Sequence, residues 1–271
     1  MQSQTITVDR DGIADTPQYS LGKILVVWAA AAGPMAVLGW VVTPALAHDP
    51  HNPGFARVGI LALGLIWQFI LVMILLHRET GNLRWSTVRH RLWLNTPRRP
   101  QTGEPQRGLW WWVVPLLVLA GLFDLQGRGT LNKLWVSVFP FLTQPPGFDF
   151  GSFLSNPEAR AQMVGNWGVL MLFVISALFN TVLGEELLFR GLLLPRMAAV
   201  FGKWDWIANG LLFGFYHLHQ PWGMLSSATA GILLYALPSR SFHSAWFGIV
   251  AHSGQSVYLT FLILGLVLGR A

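Results

Sequence analysis

Long stretches without a charged side chain recur along this chain, and they constrain its fold more than any other feature. They cover residues 24–47, 58–76, 108–123, 161–184 and 241–269. A helix needs about 20 predominantly apolar residues to cross a bilayer, and most of these stretches reach that length. Only 11% of the residues are charged, whereas about 25% is usual in a soluble domain. We therefore predict an all-α, polytopic transmembrane helix bundle.

The apolar pattern predicts seven spans, and an eighth if residues 131–143 insert. Those residues belong to a part of the chain that is interrupted by prolines, so we interpret them as a re-entrant or interfacial segment. One proline, Pro221, separates two spans within residues 207–239. The other predicted spans are residues 23–46, 57–77, 109–124, 163–189 and 242–269.

A basic loop follows the second span. Residues 77–108 contain seven arginines against Glu79 and Glu104. The positive-inside rule places so basic a short loop in the cytoplasm, and with it the N-terminus. The sequence LRWSTVRHRLWL within the loop mixes aromatic and basic residues, as a helix in the membrane interface does. The net charge of +6 therefore reflects topology and contact with anionic lipid, not binding of nucleic acid.

Several kinds of site are excluded or disfavoured. The chain contains no cysteine, which rules out disulfides, thiolate metal sites and a cysteine nucleophile. His48 and His51 lie in the sequence HDPHNPG between the first two spans. We interpret this stretch, rich in polar residues and proline, as a solvated loop and not as a metal site.

Ionisable side chains inside an apolar span are costly, and they mark a candidate functional site. The sequence GEELLFRG, residues 184–191, contains Glu185, Glu186 and Arg190. Glu186 and Arg190 are four residues apart, so they share one helix face and can pair. Glu185 lies about 100° round the helix and is poorly placed to share that arginine. We predict that Glu185 faces a cavity, where a desolvated carboxyl suits a general base near neutral pH. The alternative is a charge cluster that holds helices together.

Histidines occur in two later spans. His217 lies in FGFYHLHQP, and His252 lies in GIVAHSGQS, one turn before Ser256. A role in helix packing is the alternative for both segments. His219 is close to a turn, and we interpret it as interfacial. A free carboxylate and two histidines on three separate spans suit water activation and oxyanion stabilisation, which are the two needs of peptide hydrolysis.

These residues resemble the motifs of a known family. EELLFR resembles an EExxxR motif, FGFYH resembles FxxxH, and His252 follows in a third span. Their order and spacing are similar to those of the CAAX-protease and bacteriocin-processing (CPBP, or Abi) family of intramembrane proteases, which includes the Ras-converting prenyl endopeptidases. The resemblance covers about residues 163–268.

The resemblance implies an intramembrane endopeptidase of the glutamic type that uses no cofactor. Glu185 and His217 would activate the attacking water. His252 would help to form the oxyanion hole, and Glu186 with Arg190 would hold the geometry of the site.

One position departs from the family pattern. Members usually carry Asn, or sometimes Asp, four residues after the histidine of the third motif, and this chain carries Ser256. A hydroxyl can donate one hydrogen bond, but it is shorter than an amide. The neighbouring Gln255 is turned about 100° away. Either Ser256 supplies the second oxyanion donor, or that donor comes from elsewhere.

The sequence thus divides into a polar cytoplasmic tail (1–20), an accessory transmembrane region (21–160) and a CPBP-like catalytic core (161–271). The expected partners are membrane lipids and a peptide or protein substrate, including lipidated or membrane-anchored ones. Because Arg190, Arg196 and Lys203 cluster beyond the motif, we expect the cavity to open to the cytoplasmic leaflet.

Two alternatives remain besides a proton-coupled transporter, which the absence of internal repeats disfavours. Glu185, His217 and His252 could hold a catalytic zinc ion, although the chain has no HExxH sequence. A catalytically silent scaffold or immunity protein could bind a peptide in the same cavity, and Ser256 favours this alternative.

Overall fold

The structure, a computed structural model, describes residues 16–46, 53–146, 148 and 156–270. The regular elements in this part of the chain are helices, and its one β-bridge is an isolated antiparallel pair between Arg98 and Pro105. The predicted all-α class is therefore confirmed. Most of the tail 1–20, together with His48 and His51, lies outside the described residues.

Within the described residues, five helices are long and apolar enough to cross a membrane. Each coincides with one of the uncharged stretches, because burying a helix in lipid requires about 20 apolar side chains in succession. The five are α1 (Leu21–Leu46), α2 (Pro53–Thr80, with its candidate span at Ala56–Thr80), α4 (Arg107–Val138), α6 (Trp167–Arg196) and α9 (Trp246–Val267).

The other helices are shorter. Two of them, α7 (Asp205–Tyr216) and α8 (residues 224–241), lie where the sequence predicts a pair of spans around Pro221. The 12 residues of α7 rise about 18 Å, which is less than the ~30 Å hydrocarbon core. Two of the seven predicted spans are therefore present as shorter helices. The remaining helices are α3 (Trp85–Arg91), within the predicted interfacial segment, α5 (Pro157–Met163) and a single turn at Ala198–Phe201.

The third predicted span is longer than the sequence suggests. α4 continues from Arg107 to Val138, so residues 125–138 extend that span and do not form a separate re-entrant segment. A single turn follows at Pro140–Leu142. The helix continues through these charged residues because Asp124 and Arg128 are four positions apart and form an ion pair, with 2.6 Å between Oδ1 and Nη2.

The helix termini meet at two ends of the bundle. At one end, Arg196 Nη2 lies 2.8 Å from Glu79 Oε2, and the Tyr19 backbone N–H donates to the Arg196 carbonyl. Arg240 pairs with Asp205 at 2.8 Å in the same region. These contacts join the start of α1 to the ends of α2 and α6, and the start of α7 to the end of α8. The residue before α9 is held to the loop 77–108, because the Ala245 N–H donates to the Trp93 carbonyl at 2.8 Å. We call this end the basic end, because it carries the loop 77–108, Lys23, Arg196, Lys203 and Arg240.

The opposite end holds the turn between α7 and α8. Trp40 Nε1 donates to the Leu218 carbonyl at 2.8 Å, and Trp135 Nε1 donates to the Pro221 carbonyl at 3.0 Å. Arg57 Nη2 donates to a third carbonyl of the turn, that of His219. The turn is therefore fixed to the end of α1, the start of α2 and the end of α4.

Candidate active site

A cavity of about 430 Å³ lies among α1, α2, α4, α6, α9 and the turn between α7 and α8. Four of the predicted site residues line it, namely Glu185, His217, His252 and Ser256. They come from α6, from the end of α7 and from α9, as the sequence predicts. The structure thus brings together side chains that are up to 71 positions apart in the chain.

Glu185 lies where α6 departs from regular α-helical geometry. Wider π-helical turns at Phe179–Gly184 and Leu187–Leu193 flank it, and such turns occur frequently at functional sites. A Cβ atom at Gly184 would lie 2.8 Å from the Leu65 carbonyl oxygen. Glycine at this position therefore permits the close approach of α2 to α6 beside the carboxylate.

The Glu185 carboxylate has one supported side and one free side. Its side chain is buried, with 2% exposure, and Oε2 has no hydrogen-bond partner in the protein. The Tyr216 hydroxyl neighbours the carboxylate and accepts from Gln68 Nε2 at 2.6 Å. An ionised carboxylate can only accept, so the Tyr216 hydroxyl is the group placed to donate to Glu185. Glu185 lines the cavity, so a carboxylate with one unpaired oxygen lies at the cavity wall.

Glu186 is fully buried behind the cavity. Arg190 Nη1 donates to Glu186 Oε1 at 2.9 Å, and His252 Nδ1 lies 3.0 Å from the same oxygen. Arg190 Nη2 also donates to the Gly231 carbonyl, and the guanidinium lies 4.3 Å from the centre of the Phe213 ring. The i, i+4 pair predicted from the sequence is present, and it orients the His252 ring.

The hydrogen bonds fix the proton positions of both rings. His217 Nδ1 lies 2.8 Å from the Phe213 carbonyl, which can only accept, so Nδ1 carries the proton. Nε2 of a neutral His217 is then an acceptor. His252 Nδ1 faces an arginine-paired carboxylate and carries a proton for the same reason. Its Nε2 donates only when the ring is an imidazolium.

The structure changes two interpretations of neighbouring residues. His219 is buried, lines the cavity and stacks on His217 with 5.6 Å between ring centres. The interfacial assignment is wrong because α7 ends at Tyr216, so a helical angle does not apply to the turn. Gln255 lines the cavity beside Ser256. A 100° rotation on α9 therefore does not turn Gln255 away from this wide cavity.

Several polar lining residues were not singled out from the sequence. Arg128 and Asn132 come from the part of α4 that the sequence assigns to the interface, and Asn180 comes from α6. Isolated amides and hydroxyls in apolar stretches were the available signal, but nothing in the sequence shows which face they occupy. The remaining polar additions to the lining are Ser176, Gln220, Ser226, Ser227 and Thr260.

The cluster of Arg190, Arg196 and Lys203 lies outside the lining of the cavity. Arg190 and Arg196 are completely buried and take no part in its lining. The lining extends from Glu185 and His252 to Gln220, Trp222 and Gly223 in the turn at the opposite end.

Among the residues that the structure describes, no three His, Asp or Glu side chains are grouped in a way that could hold a metal ion. His252 Nδ1 is occupied by Glu186, and His217 Nδ1 is occupied by a backbone carbonyl.

Comparison with known proteins gives one match. Residues 166–258 match the family described as type II CAAX prenyl endopeptidase Rce1-like. The segment contains every predicted site residue, from Glu185 to Ser256. A search of curated proteins and a search of solved structures gave no match. The resemblance inferred from the three motifs is thus confirmed, and the five apolar helices together with this match indicate an integral membrane protein.

Proposed function

Because residues 166–258 belong to the Rce1-like type II CAAX prenyl endopeptidase family, we propose that this protein is an intramembrane endopeptidase of the glutamic type. The observation that carries the proposal is that Glu185, whose Oε2 has no hydrogen-bond partner, lines one cavity with His217, His252 and Ser256. The substrate is a polypeptide at the membrane, including lipidated or membrane-anchored ones.

Glu185 and His217 activate the attacking water in this proposal. Glu185 takes one proton from the water while His217 Nε2 accepts a hydrogen bond from the other. The water oxygen then bonds to the carbonyl carbon of the scissile peptide. A positioned general base contributes about 10²–10⁴-fold to the rate, and the hydrogen bond from Tyr216 holds the carboxylate in place.

His252 and Ser256 stabilise the negative oxygen that this attack creates. The imidazolium form of His252 donates from Nε2, and Ser256 supplies a hydroxyl proton from the next turn of α9. When the intermediate collapses, the carbonyl re-forms and the C–N bond breaks. The proton held by Glu185 passes to the departing nitrogen. Donors directed at such an oxyanion typically contribute about 10²–10³-fold each.

Two alternative functions share the same cavity. A catalytically silent scaffold or immunity protein is favoured by the serine at position 256, which replaces a longer amide donor. A zinc-dependent protease would use Glu185, His217 and His252 as ligands, and exhaustive chelation would abolish its activity.

The test compares chain termini in cells that produce the wild-type protein, Glu185→Gln or Glu158→Gln. Glu158 is exposed on α5, and its replacement by Gln removes the same charge outside the cavity. We expect N- and C-terminal proteomics to find cleavage products that disappear with Glu185→Gln and persist with Glu158→Gln. Cleavage products that persist in the Glu185→Gln cells would overturn the proposal. If none of the three kinds of cell contains a cleavage product, the silent scaffold is favoured.

A further inference from the structure

The side of the membrane from which the cavity is reached follows from its shape. The part of α6 beyond Glu185 is sealed towards the basic end, because its side chains are packed on every face. Glu186 and Arg190 have no exposure, and they fill the space behind His252. The neighbouring apolar residues with no exposure are Leu188, Phe189, Leu192, Leu193, Leu194 and Met197.

The lining of the cavity continues in the other direction. On α9 it runs from His252 to Thr260, which is about 12 Å along the helix away from the basic end. On α6 it runs from Glu185 back to Phe173, about 18 Å in the same direction. Gln220 and Trp222 complete it in the turn that is fixed to the opposite end. The cavity therefore has its floor at Glu185 and His252 and its mouth towards the opposite end.

The charges of the two ends give the orientation. The loop 77–108 alone brings seven arginines to the basic end. The opposite end has few basic side chains in its described part, and Glu158 offsets one of them. These basic residues are Arg57, Lys133, Arg160 and Arg270. Since cytoplasmic loops carry the excess of Lys and Arg, the basic end lies in the cytoplasm and the mouth faces the other side.

We infer that the cavity is entered from the extracytoplasmic side of the membrane. Given the proposed peptidase function, the substrate class is then an exported or membrane-anchored polypeptide whose scissile bond enters the cavity from the extracytoplasmic side. A peptide that ends in the cytoplasm would have to cross the sealed floor to reach Glu185. The geometry of entry itself does not depend on catalysis.

The absence of cysteine allows a direct test with single cysteine variants. Asn180→Cys places a thiol in the cavity lining, Thr102→Cys places one on the exposed basic-end loop, and Thr143→Cys places one on the exposed opposite end. The probe is a membrane-impermeant trimethylammonium methanethiosulfonate, applied to right-side-out and to inside-out membrane vesicles. Modification is read by mass.

We expect the thiols at positions 180 and 143 to react in right-side-out vesicles, and the thiol at position 102 to react in inside-out vesicles. If the thiol at position 180 reacts only in inside-out vesicles, as the thiol at position 102 does, or in neither preparation, the inference is wrong. The labelling is repeated in the Glu185→Gln background. Correct sidedness with no Glu185-dependent cleavage would refute the peptidase function and leave the entry side established.

Discussion

At the scale of single residues, Glu185 and Glu186 have different surroundings although they are adjacent. Successive helix positions point about 100° apart, so one carboxylate reaches the cavity while the other reaches Arg190 and His252. The separation of the two roles follows from the spacing of GEELLFR and was predictable. The Tyr216 hydroxyl beside Glu185 was not predictable, because Gln68 and Tyr216 meet only when α2 packs against α7.

Tyr216→Phe removes the hydroxyl that joins Gln68 to Glu185 and leaves the ring in place. Loss of one hydrogen bond to a charged group costs about 1.5–3 kcal/mol. We expect kcat/KM for peptide cleavage to fall about 10–100-fold, with the fold retained in thermal unfolding. Tyr258→Phe is the matched control, since Tyr258 is exposed on α9. Equal rates for the two variants would remove Tyr216 from the account.

Arg190→Ala leaves the Glu186 carboxylate buried beside His252 without its cation. Removing one partner of a buried ion pair destabilises a protein by about 3–5 kcal/mol. We expect a large drop in the thermal unfolding temperature in detergent, which the double variant Glu186→Leu, Arg190→Met partly restores. Neither variant should cleave. A stable Arg190→Ala protein with normal activity would show that the pair does not hold the site.

At the scale of helices, the packing of α9 on α6 sets the position of His252. Gly248 lies one turn before His252, and a Cβ atom there would lie 2.5 Å from Glu186 Oε2 and 3.1 Å from Arg190 Cγ. Both neighbours are fixed by their ion pair. The glycine therefore allows α9 to approach the buried pair closely enough for His252 to reach it.

Gly248→Ala should separate the two helices despite the better helix propensity of alanine. Overpacking of this kind costs about 1–3 kcal/mol, and we expect both a lower unfolding temperature and a lower cleavage rate. Gly254→Ala on the same helix is the control, because its Cβ would meet only the flexible tip of Leu117 at 3.3 Å. If both variants behave like the wild type, close packing at position 248 is not needed.

The helices also show where prediction from sequence ends. Hydropathy located five spans because lipid burial depends on local composition. Hydropathy did not extend α4 beyond residue 124, because it scores the charges of Asp124 and Arg128 separately and they then indicate the end of a span. In the helix the two side chains form an ion pair, which lowers the cost of their charges. His219 was misplaced because the sequence does not show that the turn after Tyr216 folds this side chain against His217.

At the scale of the whole molecule, the matched segment does not form the cavity alone. Residues 166–258 supply the proposed reacting groups, whereas Met35, Leu65 and Arg128 from α1, α2 and α4 complete the wall. Motifs in the sequence identified the first set. The second set is defined by which faces of three further helices turn inwards, and hydropathy alone does not reveal that. The predicted boundary at residue 161 thus lies between the helices that carry the motifs and the helices that complete the wall, although both groups line one cavity.

The most direct test measures cleavage by purified protein in liposomes. The substrate is a peptide spanning a cleavage site found by terminal proteomics, and the buffer is exhaustively chelated. The account predicts that the wild type and Glu158→Gln cleave at equal rates under chelation, and that Glu185→Gln is slower by about 10²–10⁴-fold. Glu185→Gln cleaving at the wild-type rate, or a wild type that is active only after zinc is restored, would contradict it.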